Sequence, residues 1–379
     1  MSYYVTYNGN YPTVNGYALH RLPPLIDDNA FRFKFPRNYD PTTSGTTWVT
    51  GSTWTQVSTD PNIWDYVHPN GDFSYAFYNK FSSFLYPTEI LLSNVHNATN
   101  MSYMFAGCGN LYYSHVTFDT ANVTNMSHMF DYCYQLTNLP ISNTGSVTDM
   151  SYMCYRCSDL VSVPFIDTSS VTTMNGAFYG CYDITTIPLL DTSSVTDMHD
   201  MFHDCVAITS IPLLDTSHVT NITGMFARCT SLTTIPLLDT SSATALTNTF
   251  NGCTSLTSLP LLDTSNVTNM GQTFYGCTSI TSLPLFNTSK VTLMDSVCQG
   301  CTALTAVPLW DTSKLRRIPN GFKDCINVQS GALAFYQQAS SQASPPSYTP
   351  DAFTNCGSNT TTGAAELAQI PTSWGGTAT

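Results

Sequence analysis

Apolar residues recur along the chain with a fixed period of 24 residues, and cysteines mark this period most clearly. Nine of them follow one another at intervals of 24, and a tenth precedes these nine by 25. The ten cysteines are Cys108, Cys133, Cys157, Cys181, Cys205, Cys229, Cys253, Cys277, Cys301 and Cys325. A fixed period of this length is the signature of a solenoid, in which every repeat contacts only its neighbours. The pattern therefore predicts a solenoid of ten repeats over residues 91–328.

Two short elements are predicted within each repeat. A large apolar residue lies seven positions before the cysteine and usually a Phe three before it, as in Met126 and Phe130, which is the spacing of one helix face. Leu, Ile or Val follows the cysteine at three and six positions and precedes a proline, as in residues 184–188, which favours a short strand. We therefore predict an α/β repeat solenoid of the leucine-rich-repeat type, with one short helix and one short strand per turn.

The chain before the repeats has a different pattern, from which we predict a small β-rich module over residues 1–90. Residues 31–35 alternate like a half-buried strand, and short apolar segments around Trp48 and Trp54 are separated by Gly, Ser, Thr and Pro. Residues 73–86 are rich in Phe and Tyr and are predicted to form a helix that covers the first repeat. This module would cap the solenoid or attach it to a larger assembly.

The chain after the repeats, residues 329–379, is predicted to form an atypical cap. A helix is expected over residues 331–342, followed by a degenerate copy of the repeat. In that copy Phe353 and Cys356 keep the spacing of the Phe and Cys positions, and residues 367–371 keep the later apolar and proline positions. An open solenoid end would expose core and strand edges, so a divergent last repeat is expected.

Composition narrows the function classes. The 379 residues carry a net charge of −13, with 12 Lys plus Arg against 25 Asp plus Glu, which argues against nucleic-acid binding. No apolar run approaches the roughly 18 residues of a membrane span, so no membrane insertion is expected. The first 25 residues lack the basic start and apolar run of a secretory signal. No nucleophile elbow, phosphate loop or zinc-protease motif is present, and we predict no enzyme, no cofactor and no metal.

The cysteines are predicted to be buried free thiols. Neighbouring coils would bring them close enough for disulfides, but all occupy the same core position, where Cys behaves as a small apolar residue. Cys154 with Cys157, and Cys298 with Cys301, have the spacing of metal or redox motifs. Since Cys154 and Cys298 stand in the Phe position of the repeat, we interpret them as core substitutions.

An acidic residue recurs ten positions after the cysteine. The column consists of Asp119, Asp167, Asp191, Asp215, Asp239, Asp263 and Asp311, with Asn143 and Asn287 in the same slot. Because Asn replaces Asp, the pattern favours a side-chain hydrogen bond to a backbone amide two residues on. Calcium binding by the stacked carboxylates is the alternative that the sequence leaves open.

Eight tyrosines lie outside the core positions of the first four repeats. They are Tyr112, Tyr113, Tyr132, Tyr134, Tyr152, Tyr155, Tyr179 and Tyr182. Tyrosine offers a large contact area with one polar tip, which suits the binding of a protein or a sugar. Packing against the aromatic N-terminal module is the structural alternative, and the sequence favours it over binding because aromatic side chains stabilise cores as readily as interfaces. The face is retained as a candidate partner-binding surface.

The repeat resembles that of the BspA-like leucine-rich-repeat surface proteins. The segments at residues 263–270 (DTSNVTNM) and 225–236 (MFARCTSLTTIP) are similar to the consensus of that family, and the resemblance covers about residues 97–328. It implies a solenoid with a role in adhesion, because such repeats are known from bacterial surface adhesins, parasitic protists and gut bacteriophages.

These observations together predict a non-catalytic surface recognition or adhesion protein. Since no export signal is visible, we expect an exposed phage virion appendage, a tail or head fibre component that contacts the bacterial host. The expected partners are a protein or glycan on the host surface and other virion proteins, and the chain is compatible with an oligomer. The alternatives are a structural spacer or decoration protein of the virion, or an adhesin on the bacterial cell surface.

Overall fold

The computed structural model describes residues 13–14, 17–18, 30–34, 40–42, 52–57, 63–68, 70–80, 88–95, 97–114 and 117–378. The predicted repeat solenoid is confirmed. Parallel backbone bridges join equivalent residues of successive coils along the stack, as between Asp149, Thr173 and Asp197. Each coil therefore lies on the preceding one, with like residues in columns.

The short helix predicted in each repeat is wrong. The segment from the Met position to the cysteine, residues 150–157 in one coil, forms two consecutive turns. In the first turn the Met153 amide donates to the Met150 carbonyl oxygen at 3.2 Å. The third residue of each turn, Tyr152 (φ 53°) or Arg156 (φ 57°), lies in the left-handed region, which no α-helix contains. Two successive four-residue turns thus produce the three-and-four spacing that was interpreted as a helix face.

Alternate backbone amides of this segment join one coil to the next. The Tyr152 amide donates to the Asn175 carbonyl oxygen at 2.9 Å, and the Cys154 amide donates to the Ala177 carbonyl oxygen at 2.8 Å. The remaining amides close the turns within their own coil. Buried backbone groups of the turns are thus paired without regular secondary structure.

The short strand predicted in each repeat is reduced to single bridged residues in four coils and is absent from residues 206–212, 230–236, 254–260 and 278–284. Parallel bridges join Ser162 to Thr186 and Ala306 to Ser330 in this segment. The proline that follows cannot donate to a ladder, which restricts pairing. In the first coils two-residue strands form instead, β8 (Phe118–Asp119) and β9 (Ile141–Ser142), and they pair in parallel.

Seven further strands lie before the regular coils. They are β1 (Thr13–Val14), β2 (Tyr17–Ala18), β3 (Ala30–Lys34), β4 (Thr53–Gln56), β5 (Ile63–Val67), β6 (Thr88–Asn94) and β7 (Leu111–Ser114). Strands β3 to β7 form one sheet in the order β4-β5-β3-β6-β7, antiparallel except between β6 and β7. The strand predicted at residues 31–35 lies in β3, the one at Trp54 lies in β4, and the one at Trp48 falls outside the described residues.

Residues 73–80 do not form the predicted helix but an additional coil, and residues 81–86 lie outside the described residues. The Phe77 amide donates to the Met104 carbonyl oxygen at 2.8 Å, as in the regular coils. Its ring stacks on Phe105 at 5.1 Å and 11°. Tyr75 has a φ of 57°, so the same turn geometry begins before Cys108, the first of the ten periodic cysteines, which we call the ladder cysteines.

One continuous hydrophobic core runs from Phe31 in the sheet to Trp374 near the C-terminus. Phe rings of successive coils stack within it, with centroids 5.8–5.9 Å apart between Phe178 and Phe274. Such stacking explains why one coil is not stable alone, because each ring is covered only by its neighbours.

The C-terminal segment closes the stack. It contains α1 (Ala332–Ser340), α2 (Thr361–Leu367) and a 3₁₀-helix (Thr372–Trp374). The Phe353 ring lies 5.7 Å from Phe322 and 6.3 Å from Trp374, which covers the end of the ring column. Both described α-helices, with nine and seven residues, are much shorter than the roughly 20 residues that cross a bilayer.

Candidate functional site

A chain of aromatic ring contacts runs along the outside of the first coils, and we call it the aromatic ribbon. Its members are Tyr75, Tyr78, Tyr103, His128, Tyr132, Tyr134, Tyr152, Tyr155, Tyr179 and His203. All of them are partly or largely exposed to solvent. The ribbon is therefore a surface feature and not part of the core.

Four rings of the ribbon form a face-to-face stack. Tyr75 lies 4.7 Å from Tyr103 at an interplanar angle of 5°, Tyr103 lies 4.3 Å from His128 at 8°, and His128 lies 4.9 Å from Tyr152 at 17°. The four residues occupy the same column, because they are the third residues of equivalent turns. The coil stacking thus creates the ring stack.

A second branch leaves this stack at Tyr152 and continues to the later coils. Tyr152 contacts Tyr155 at 5.8 Å and 67°, Tyr155 contacts Tyr179 at 4.8 Å and 32°, and Tyr179 stacks on His203 at 4.4 Å. Tyr132 joins Tyr155 edge-on at 5.3 Å. Offset and edge-on contacts are the favoured geometries of aromatic pairs, so the branch stabilises its own arrangement.

Gly176 ends the face-to-face stack. A Cβ atom at this position would lie 2.4 Å from ring atoms of Tyr152, and the φ of Gly176 is +59°. Because no side chain intervenes, Tyr152 leans over the next coil and its hydroxyl group lies 3.3 Å from His199 Nε2. Glycine here is required both by the backbone conformation and by the tyrosine that covers it.

The four residues of the face-to-face stack have backbone conformations that are unfavourable for residues other than glycine. Tyr75, Tyr103, His128 and Tyr152 have φ values between 53° and 57°. A residue other than glycine in this region costs on the order of 1–3 kcal/mol. In the later coils the same column holds residues that tolerate this conformation better, such as Asn248 (φ 58°). The turn itself therefore does not require an aromatic ring, and the contacts of the side chains must explain it.

Three phenols of the ribbon are held in the protonated form by their surroundings. Burial raises the pKa of Tyr103, Tyr132 and Tyr179 above the ordinary value. The guanidinium group of Arg156 lies 5.7 Å from the ring centroid of Tyr155, and a hydrogen bond to that tyrosine raises the pKa of the arginine. The surface offers hydroxyl donors, ring edges and one fixed cation.

The structure brings together five of the eight tyrosines predicted as a partner-binding face. Tyr132, Tyr134, Tyr152, Tyr155 and Tyr179 belong to the ribbon. Tyr182 is exposed to 38% in the same region. The backbone of Tyr112 and Tyr113 belongs to β7 of the sheet, and their side chains lie outside the described residues.

Sequence reasoning missed Tyr75, Tyr78, Tyr103, His128 and His203. The signal for the first two was present: residues 72–80 (DFSYAFYNK) align with the repeat, with a Phe in the Met position and another in the Phe position. His128 could have been found by writing the third turn positions one below the other, and His203 by doing the same with the column of Tyr155 and Tyr179.

The acidic column forms turns. Asp215 Oδ1 accepts hydrogen bonds from the Ser217 amide at 3.0 Å and from its hydroxyl at 2.7 Å, and Asn287 binds Ser289 in the same way. These hydrogen bonds lower the pKa of Asp215. Throughout the part of the chain that the structure describes, no group of three or more His, Cys, Asp or Glu could hold a metal ion.

All thirteen cysteines are among the described residues, and each is a buried free thiol. The thiol of Cys205 donates to the Phe178 carbonyl oxygen of the preceding coil at 3.1 Å, and that oxygen also accepts the Cys181 amide at 3.2 Å. The other nine ladder cysteines make the same contact. Cys154 and Cys298 occupy the Phe column and are fully buried. Burial raises the pKa of Cys205, which keeps the donor protonated.

The family described as "Mycoplasma protein of unknown function, DUF285" matches the chain over residues 71–165, 159–259 and 233–335. These matches together cover more than half of the chain, which therefore belongs to this family. The resemblance to the BspA-like leucine-rich-repeat surface proteins is confirmed by this membership. No curated protein matches the chain.

Three bacterial repeat proteins are among the solved structures to which the chain is similar. A leucine-rich cell-surface protein from Faecalibacterium prausnitzii matches 70% of this chain over 84% of its own, with 20% identity and a TM-score of 0.39. An internalin from Listeria monocytogenes matches 64% over 79%, with 12% identity and a TM-score of 0.27. A leucine-rich-repeat protein from Eubacterium ventriosum matches 52% over 72%, with 16% identity and a TM-score of 0.25.

Proposed function

We propose that this chain is a non-catalytic recognition protein that adheres to a cell surface through the aromatic ribbon. The observation that carries this proposal is the uninterrupted series of partly exposed rings over successive coils. Five of the ten, among them Tyr132 and Tyr152, have a positive φ that favours glycine or asparagine, so the turn does not select a ring there. The ring contacts of the ribbon are to one another and to His199, which supports a surface role over packing against the N-terminal sheet.

The partner that this surface fits best is a protein. Stacked rings cover one another's faces, as between Tyr75 and Tyr103, and leave ring edges and hydroxyl groups for the partner. Tyrosines supply large contact area at low conformational-entropy cost, which suits protein interfaces. A glycan is the second candidate, because the phenol hydroxyls also match sugar hydroxyls.

The location that we propose is an exposed appendage of a phage virion, with the bacterial cell surface as the second candidate. A surface whose polarity comes from Ser, Thr and Asn, with only 10% charged residues, suits an exposed component of either. Detection of the chain in purified virions, compared with the surface fraction of the cells, distinguishes the two.

Binding of the labelled full chain to host cells tests the recognition role. The triple variant Tyr132→Ser, Tyr155→Ser, Tyr179→Ser should bind at least about ten-fold more weakly, because tyrosines at interface centres contribute more than 1 kcal/mol each. Tyr275→Ser is the matched control, since Tyr275 stands in the column of Tyr155 and Tyr179, is 40% exposed and lies outside the ribbon.

Unchanged binding by the triple variant would favour the alternative role as a spacer or decoration protein. Treating the cells with a protease or with glycosidases, before binding of the wild-type chain, separates the two partner classes. Loss after protease alone supports a protein partner, and loss after glycosidases alone supports the glycan.

A further inference from the structure

A second apolar column lies on the surface, eight positions after the cysteine, and we call it the leucine row. Its members are Phe165, Leu189, Leu213, Leu237, Leu261, Leu285 and Leu309. Their exposed fractions are between 54% and 84%, whereas Ile141 in the coil before them is exposed to 3%. The row is therefore separate from the core and from the aromatic ribbon.

The row is large enough to mark an interaction surface. Seven half-exposed side chains present on the order of 400 Å² of apolar area, the size of the largest apolar patch on a typical monomer, which is often functional. Because neighbouring coils are about 5 Å apart, the row is about 30 Å long.

The acidic column lies two positions after the residues of this row, with Asn287 in place of an aspartate after Leu285. A groove is lined on one side by Leu189 and Leu213 and on the other by Asp191 and Asp215. Hydrogen bonds from serine lower the pKa of Asp215, as they do at Asp167, Asp239 and Asp263, so these carboxylates are ionised at neutral pH. The six-residue segments that begin at the row contain no Lys or Arg in the first five coils, from residues 165–170 to residues 261–266. Lys290 and Lys314 lie in the last two, so the negative charge is concentrated beside the first five row residues.

We propose that the leucine row binds a basic amphipathic helix of another protein. One helix turn rises 5.4 Å, close to the spacing of the row, and a helix of about 20 residues spans its length. Basic residues beside the apolar stripe of that helix would pair with the acidic column. A second copy of this chain fits less well, since it would bring its own acidic column and has only 12 Lys and Arg against 25 Asp and Glu.

A synthetic peptide of about 20 leucines and lysines, with leucine at helical spacing, is the probe for this proposal. Calorimetric titration against the full chain should show binding at least about ten-fold tighter than for a peptide of the same composition whose leucines do not align. Equal affinity of the two peptides would overturn the proposal, because charge alone would then explain the binding.

Two sets of variants test the two halves of the surface. Leu213→Ser, Leu237→Ser, Leu261→Ser should weaken peptide binding by about ten-fold or more, with an unchanged thermal melt, because these side chains lie outside the core. Asp215→Asn, Asp239→Asn, Asp263→Asn keeps the turns, as Asn287 shows, and should weaken binding several-fold and reduce its dependence on salt.

The proposal fails if either triple variant binds the peptide as the wild type does. It also fails if the wild-type chain does not bind the peptide but forms a dimer that the leucine variant cannot form. That outcome would assign the row to contact with a second copy of the chain. Sedimentation of both chains without peptide detects that outcome.

Discussion

The first coils and the later coils share one core but differ on their outward faces. In both, the Phe ring, the thiol and the apolar positions after it are buried in the same columns. At the third turn position, however, the first coils carry Tyr103, His128 and Tyr152, and the later coils carry Gly224 and Asn248. The core columns therefore determine the conformation of the coil. Residues in the outward columns need only tolerate the φ value of their position, so these columns can form a binding surface.

The largest expected effect is a loss of stability at high pH, and it arises from the ladder cysteines that both regions share. Burial raises the pKa of cysteines in both regions, such as Cys133 and Cys229, and that of Cys253 to about 12, so the folded state keeps protons that the unfolded state releases above about pH 8.5. Stability is therefore fully present below the unfolded pKa and falls as pH rises, by about 1.4 kcal/mol per pH unit for each such thiol.

We expect both regions to unfold together between pH 9 and 11, as measured by urea denaturation at each pH with circular dichroism. Reaction of the thiols with a chromogenic reagent should follow unfolding. Rapid reaction in the folded state would contradict a buried ladder.

The next effect tests whether the core is equally tight in both regions. Phe130→Ala in the first coils and Phe226→Ala in the later coils should each reduce the free energy of unfolding by about 3–5 kcal/mol, because both rings are fully buried. Phe226 stacks between two rings, whereas Phe130 stacks on Phe105 and is followed by Cys154 in its column. Urea denaturation measures the loss. A much smaller loss at Phe130 would show that contacts of the ribbon also stabilise the first coils. The two regions would then differ in what stabilises them and not only in their surfaces.

A smaller effect is expected where the ring stack ends. Gly176→Ala should destabilise the chain by somewhat more than 1 kcal/mol, because the φ is positive and the new methyl group meets Tyr152. Gly276→Ala is the control, since its φ is +68° but its nearest neighbour is 3.9 Å from the new atom. Thermal melts compare the two, and near-ultraviolet circular dichroism should change only for Gly176→Ala. Equal effects on both signals would mean that Tyr152 does not depend on Gly176.

The smallest effect on stability should accompany replacement of the ribbon's own residues. Tyr103→Asn relieves the strain of a bulky residue at φ 55° but loses two stacked ring contacts of about 0.5–1.5 kcal/mol each, and the longer edge-on contact with Tyr78 at 6.5 Å. We expect a net change within about 1 kcal/mol in urea denaturation, together with weaker binding to host cells. A loss of several kcal/mol would identify the ribbon as structural support and would remove the reason for assigning it to recognition.

Much of the architecture could be predicted because the period places like side chains in columns. The stacked coils, the core positions and the helix near residues 331–342, found as α1, followed from spacing alone. The helix predicted between the Met and Cys positions was wrong, because a helix and two successive turns share the same apolar spacing of three and four. Glycine in the position before Cys181, Cys253, Cys277 and Cys301 was the available signal for a positive φ.

The ribbon was predicted only in part. Five of its tyrosines stood out because they lie off the core columns, but Tyr75 and Tyr78 belong to a coil that lacks the cysteine and was assigned to a helix. Ring contacts join residues of different coils, so their partners depend on the register between coils and not on neighbours along the chain.

What the sequence determined by itself is the period of the fold: a coil of 24 residues, with its core positions and the turn at the acidic column. What only the tertiary structure decided is which apolar residues face outward. Leu213 and Leu214 are adjacent and chemically identical, yet their exposed fractions are 62% and 2%. The path of the backbone after the proline directs one into the stack and the other to solvent, and composition cannot distinguish them.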